Sequence, residues 1–78
     1  MNREAKSHLQ DIGDLGGVTS IGYSKKHHVY VIFVLAGRAS YGPYRSPDLT
    51  KAIAKARNGF QTELQREAAA LAFMLEIE

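Results

Sequence analysis

The run Val29-Tyr-Val-Ile-Phe-Val-Leu35 contains only β-branched, aromatic and leucine side chains, and turn-forming residues close it on both sides. Such side chains fit a pleated surface, so the run reads as a strand. Lys25-Lys26-His27-His28 precede it as one turn, and Ala36-Gly37-Arg38 follow it as another. Gly37 is expected to supply the positive φ of a tight hairpin. A first strand is expected over about Val18 to Ser24 and a third over about Ala39 to Tyr44. Pro43 cannot donate to a ladder, which marks the third strand as an edge. The order predicted is a plain meander with the apolar strand in the middle.

The flanks read as helix. Ser46 is the expected N-cap, Pro47 suits the first helical position, and Asp48 favours the positive end of the dipole. Leu49, Ile53, Ala56, Phe60 and Leu64 then recur every three or four residues and form one apolar stripe. Lys51, Lys55 and Arg57 fall away from it. Asn58-Gly59 is a turn signal inside this pattern. Either the helix breaks there, with a second helix from about Gln61 to Ile77, or it runs through at about 1 kcal/mol for the glycine. The continuous, kinked form is the expectation. The stretch Ala68 to Ile77 is apolar on more than one face, as in a helix that is buried or meets another chain. Near the start, Ala5, Leu9 and Ile12 share a face, so residues 2–12 read as a short helix or ordered arm. Gly13-Asp14-Leu15-Gly16-Gly17 ends it. Asp11 and Asp14 flank this loop in turn or capping roles, with too few oxygen ligands following for a calcium loop.

The fold class is therefore α+β: a three-stranded antiparallel β-meander packed on a long C-terminal helix, with a short N-terminal helix or arm. The 78 residues make one domain, 1–18, 19–45 and 46–78 being its three parts. A chain this small buries a modest share of its surface. It contains no cysteine, so neither a disulfide nor a thiolate zinc site supports it. Its apolar runs fall short of the roughly 20 residues that span a bilayer, and no signal-peptide pattern opens it. A soluble, cytoplasmic protein without membrane contact is expected.

Residues 19–47 hold four bases, Lys25, Lys26, Arg38 and Arg45, and no acid. The acids lie near the termini and on the following helix. That polarity suits an anionic partner, although lysines at turns also guard sheet edges. His27 and His28 are adjacent, so on a strand they would point to opposite faces and not chelate together. As turn residues they add charge to the basic rim when protonated. Glu63 and Glu67 read as helix surface, Gly13 to Gly17 lacks the lysine of a phosphate loop, and no triad spacing stands out. The chain reads as a binding protein and not an enzyme, with no cofactor and no metal.

With tight hairpins, side chains sort by period two. Ile21, Tyr23, Tyr30, Ile32, Val34 and Tyr41 share the bulkier face, assigned to the helix. Ser20, Gly22, Ser24, Val29, Val31, Phe33, Leu35, Ser40 and Gly42 share the other, with Lys26 and Arg38 at its rim. A sheet apolar at its centre on both faces usually has both covered. The C-terminal helix or a second copy is the expected cover, a ligand the remaining option.

Three segments carry a resemblance. Gly22-Tyr-Ser-Lys-Lys26, then Val29 to Gly37 with Arg38, then Tyr41-Gly-Pro-Tyr-Arg-Ser-Pro47 followed by Ala52 to Arg57, resemble the sheet-plus-helix DNA-binding domain of plant ethylene-response transcription factors. Relatives of that domain occur in mobile-element endonucleases and in the arm-type domain of tyrosine integrases. The likeness covers about half the chain, and its motifs are short. It implies a sheet lying in the major groove, with Lys25, Lys26, His27 and Arg38 at phosphates or bases and Arg45 a weaker contact turned towards the helix. The chain departs from that family along its central strand, where Val29, Val31, Phe33 and Leu35 replace polar base readers. Affinity would then come mainly from phosphates and fall with salt.

Three functions follow as expectations. The first is a small DNA-binding protein of phage or mobile-element type. The second is an anti-CRISPR-like inhibitor that binds a host protein through Val29, Val31, Phe33, Leu35 and Ser40, an apolar core with a polar rim. The third is a homodimeric structural protein. A homodimer is expected in the first case as well, through the C-terminal helix.

Overall fold

The computed structural model describes residues 2–77, so the expected outer limits 1 and 78 lie outside the described residues. The elements run α1 (Arg3–Asp14), β1 (Val18–Ser24), β2 (Val29–Ala36), β3 (Ala39–Ser46) and α2 (Leu49–Ile77). The class is α+β, as expected. The three strands form one antiparallel sheet in the order β1-β2-β3. β2 is central, and Pro43 does lie on an edge strand.

Both hairpins follow the sequence. The Lys25 to His28 tetrad is the first turn, closed by a hydrogen bond from the His27 amide to Ser24 Oγ at 3.3 Å, with His28 at φ 54°. Gly37 and Arg38 form the second between paired Ala36 and Ala39, with φ +61° at Gly37.

β1 pairs with β2 in unbroken register, Ile21 opposite Ile32 and Tyr23 opposite Tyr30. β2 and β3 do not keep one register. Tyr44 faces Ile32 and Tyr41 faces Val34, so Gly42 and Pro43 together span the place opposite Phe33. Two residues against one is a β-bulge. Gly42 carries φ +114°, a conformation that side chains rarely adopt. The extra residue reverses the alternation beyond it. Tyr44 thus joins Tyr41 on the helix side, and Arg45 turns to the opposite face.

α2 is one unbroken helix through Asn58 and Gly59. Its cap is Asp48, not Ser46. Asp48 Oδ1 accepts from the Lys51 amide at 3.0 Å, and its carbonyl accepts from Ala52 at 2.9 Å. Pro47 precedes the helix. Ser46 is buried and its Oγ accepts from the Asp48 amide, which shapes the entry. The carboxylate outcompetes the hydroxyl because its charge also meets the dipole of the first turn. The helix expected over 2–12 is a docked helix, Arg3–Asp14, which runs through Gly13 and Asp14 before the chain turns, and it is not an arm. Asn2 caps α1 by accepting from the Ala5 amide at 2.8 Å, and Asn2 Nδ2 donates to Thr50 Oγ1 of α2.

The core lies between the sheet and the helix pair. Ala5 and Ile12 of α1, Ile32 and Val34 of β2, and Ala52, Ile53, Ala56 and Phe60 of α2 are buried. Leu49 and Leu64, at the ends of the predicted stripe, pack against them. Ile21 and Tyr23 differ from expectation. They lie on the helix side yet remain 42% and 50% exposed, because α2 sits over β2 and β3 and not over β1.

α2 runs antiparallel to β3. Lys55 meets Arg45, Gly59 lies under Tyr44, and Glu67 meets Tyr41. Beyond Glu67 the helix has left the sheet. Residues 68–75 are exposed throughout, and the molecule measures 50 × 27 × 18 Å. The C-terminal part of α2 therefore does not fold back onto the second sheet face, and no other element among the described residues covers that face.

Candidate nucleic-acid interface

The uncovered face is built from alternate residues of all three strands. β1 gives Val18, Ser20, Gly22 and Ser24, and β2 gives Val29, Val31, Phe33 and Leu35. β3 gives Ser40, opposite Leu35, and Arg45, opposite Val31. Phe33 and Leu35 are 37% and 44% exposed, while Val29 and Val31 are half-buried between their neighbours. Ser20, Gly22 and Ser40 are small and exposed, so they leave the surface low on either side of the central row.

Bases surround this surface. Lys25, Lys26 and His27 are exposed in the turn at one end, and Arg38 is exposed in the turn at the other. A strand of this length separates the two ends by roughly 20–25 Å. The site residues foreseen in the sequence thus fall into three places, two turns and the face between them, and not into one cluster. Arg45 is the correction. The bulge places it on the open face and not against the helix.

Two contributors were missed. Val18 opens β1 opposite Leu35 and is 66% exposed, extending the apolar row sideways. Lys55 donates from Nζ to the Arg45 carbonyl at 3.0 Å and so brings a further charge to the edge of β3. That bond occupies an acceptor of an edge strand, a device that discourages pairing with another sheet. Lys55 was legible only as a residue off the helix stripe. Its position beside β3 depends on how α2 docks. Gly42 beside Pro43 inside a strand was the available signal for the bulge, and hence for Arg45.

Among the described residues no acid belongs to this face. Glu4, Asp11 and Asp14 lie on α1, Asp48 caps α2, and Glu63 and Glu67 lie along α2. They are engaged on the helix layer. Asp11 Oδ2 meets Arg57 Nε at 3.3 Å, Glu63 meets Arg66 at 2.9 Å, and Glu67 accepts the Tyr41 hydroxyl at 3.0 Å. Burial, first, and the Glu67 carboxylate, second, push the Tyr41 hydroxyl above its usual 10.0. Tyr44 is raised by burial and by Glu63. The two phenols stay protonated and neutral on the helix side of the sheet near neutral pH.

No family model, curated protein or solved structure matches the chain. The face itself is the ground for a functional reading. No helix among the described residues is long and apolar enough to cross a membrane, and no group of three or more metal-binding side chains occurs among them.

Proposed function

We propose that the protein binds duplex DNA by laying the open face of its sheet into the major groove, with most of the affinity coming from phosphates. The observation that carries this reading is the acid-free face with a base at each end and Arg45 on the surface between them. Size supports it. Three strands spaced about 4.8 Å apart are roughly 10 Å across, against a groove about 12 Å wide. Lys25, Lys26 and Arg38 reach the phosphates that border the groove, and Arg45 lies where it reaches either a phosphate or a base edge. Val31, Phe33 and Leu35 offer apolar contact to thymine methyls, which read little sequence. The protein acts as a binding module, with no reaction assigned to it.

Titration of a fluorescent random-sequence duplex at several salt concentrations tests this. Each phosphate contact contributes a slope of about −0.9 on a log–log plot, so three or four contacts give roughly −3 to −4. The triple variant Lys26→Glu, Arg38→Glu, Arg45→Glu is expected to lose binding at low salt. Binding unaffected by that variant removes the face from the account, and no binding by the native protein removes DNA from it.

A second reading rests on one observation, the exposure of Phe33 and Leu35 beside Val18. An apolar centre with a basic rim also fits a host protein that the chain would inhibit. Phe33→Ala separates the two readings. It adds no charge, so the phosphate-set salt slope of duplex binding stays in place, whereas loss of the aromatic anchor abolishes capture of a protein partner.

A further inference from the structure

The end of α2 is the mirror of the open sheet face in both polarity and charge. Residues 68–75 contain no charged side chain. Leu71, Phe73, Met74 and Leu75 are each at least 60% exposed. A contiguous apolar surface of that extent is unusual on a lone globular chain. Acids bracket it in sequence: Glu67 directly before, Glu76 and Glu78 directly after. The open face has an apolar row with bases at both ends and no acid.

We propose that the overhanging end of α2 lies on the open sheet face of a second copy of this chain, and that the exchange is reciprocal. Lengths agree. Residues 67–76 of a helix span about 14 Å, and the row from Val29 to Leu35 spans about 20 Å. Layering agrees as well. α2 lies one layer below the sheet and runs towards the Gly37-Arg38 turn, so its end leaves the molecule beside that turn, below the plane of the sheet. A twofold axis in the plane of the sheet, near that turn and across the strands, inverts a second copy. Its open face then meets the first copy's overhang, and its own overhang meets the first copy's open face. One symmetry operation covers both unpartnered surfaces and closes the assembly. Glu67 of each copy approaches the Arg38 end of the other.

A lipid surface fits the overhang poorly. Interfacial helices carry several lysines and arginines beside the apolar tract, whereas this one has the single Arg66, engaged by Glu63 at 2.9 Å, against Glu67, Glu76 and Glu78 in the adjoining sequence, which anionic headgroups repel. The inference stands independently of duplex binding, although the two place different occupants on the same face.

The test uses two variants at exposed positions, Leu71→Asp on the overhang and Phe33→Asp on the face. Sedimentation velocity on the native chain is expected to show twice the 8.6 kDa monomer mass. Each variant alone is expected to sediment as a monomer, since both contacts of its dimer are damaged. Mixing them restores association, because the intact overhang of one meets the intact face of the other. That recovery also shows that both variants are folded. A monomeric native chain at every concentration reached overturns the proposal. So does a Phe33→Asp variant that stays dimeric, which points to pairing of overhangs alone, and so does a mixture that stays monomeric. Duplex binding measured on the monomeric Leu71→Asp variant fails or persists separately from all of these.

Discussion

Gly59 and Tyr44 occupy one another's space. A methyl group at Gly59 would fall on the Tyr44 ring, so the glycine in mid-helix is the slot into which the edge strand's tyrosine packs. This explains why a residue that costs a helix about 1 kcal/mol is tolerated there. On propensity alone Gly59→Ala stabilises; on packing it forces the ring out of its seat, at about 1–3 kcal/mol. The second effect is the larger. A fall in thermal midpoint of several degrees is expected, with Asn58→Ala at the exposed neighbour as the control. In the sequence the same dipeptide is a turn signal, and it carries that signal honestly. What cancels it is a side chain fifteen positions away that single-sequence reading cannot place. Ser46 and Asp48 give a similar lesson. Both are good caps; the charge of Asp48 on the dipole of the first turn gives it the place, and Ser46 is drawn instead into the buried entry turn at the end of the docked strand.

At the level of elements, the meander, its turns and the stripe of α2 were legible because each depends on local periodicity. The bulge in β3 was not, since a one-residue slip leaves the sequence pattern intact and changes only which face it addresses. Arg45, the weaker contact on the sequence reading, moved from the helix side to the open face on that slip alone. The extent to which α2 covers the sheet was equally hidden. Its apolar stripe continues past Leu64, while the sheet beneath it ends. The last side-chain hydrogen bond between β3 and α2 is the Tyr41 hydroxyl on Glu67. Its sign with pH is definite. The Tyr41 pKa is raised in the folded chain, so the stabilisation is present in full below the ordinary value of 10.0 and is lost as pH rises through the raised one. The stability advantage of the native protein over Tyr41→Phe, measured by denaturant unfolding at a series of pH values, should therefore be full below about pH 10 and shrink as pH rises further.

On the scale of the whole molecule, the sequence carried a charge polarity and not a site. The sequence showed bases without acids along one segment, and the fold turned that segment into a face with an apolar centre. It also separated the face from the exposed apolar surface at the far end of α2. That overhang has a consequence for time as well as shape. From Ile53 to Phe60 one face of α2 is held in the core by Ile53, Ala56 and Phe60, and exchange of the amides on that face with deuterated water requires the fold to open. From Ala68 to Leu75 they have only their own helical bonds, and an isolated helix of about ten residues is marginal in water. One continuous helix should thus exchange over minutes or longer at its centre and almost at once at its end. Protection that spreads outward along α2 as protein concentration rises would report when the end has found a surface to rest on.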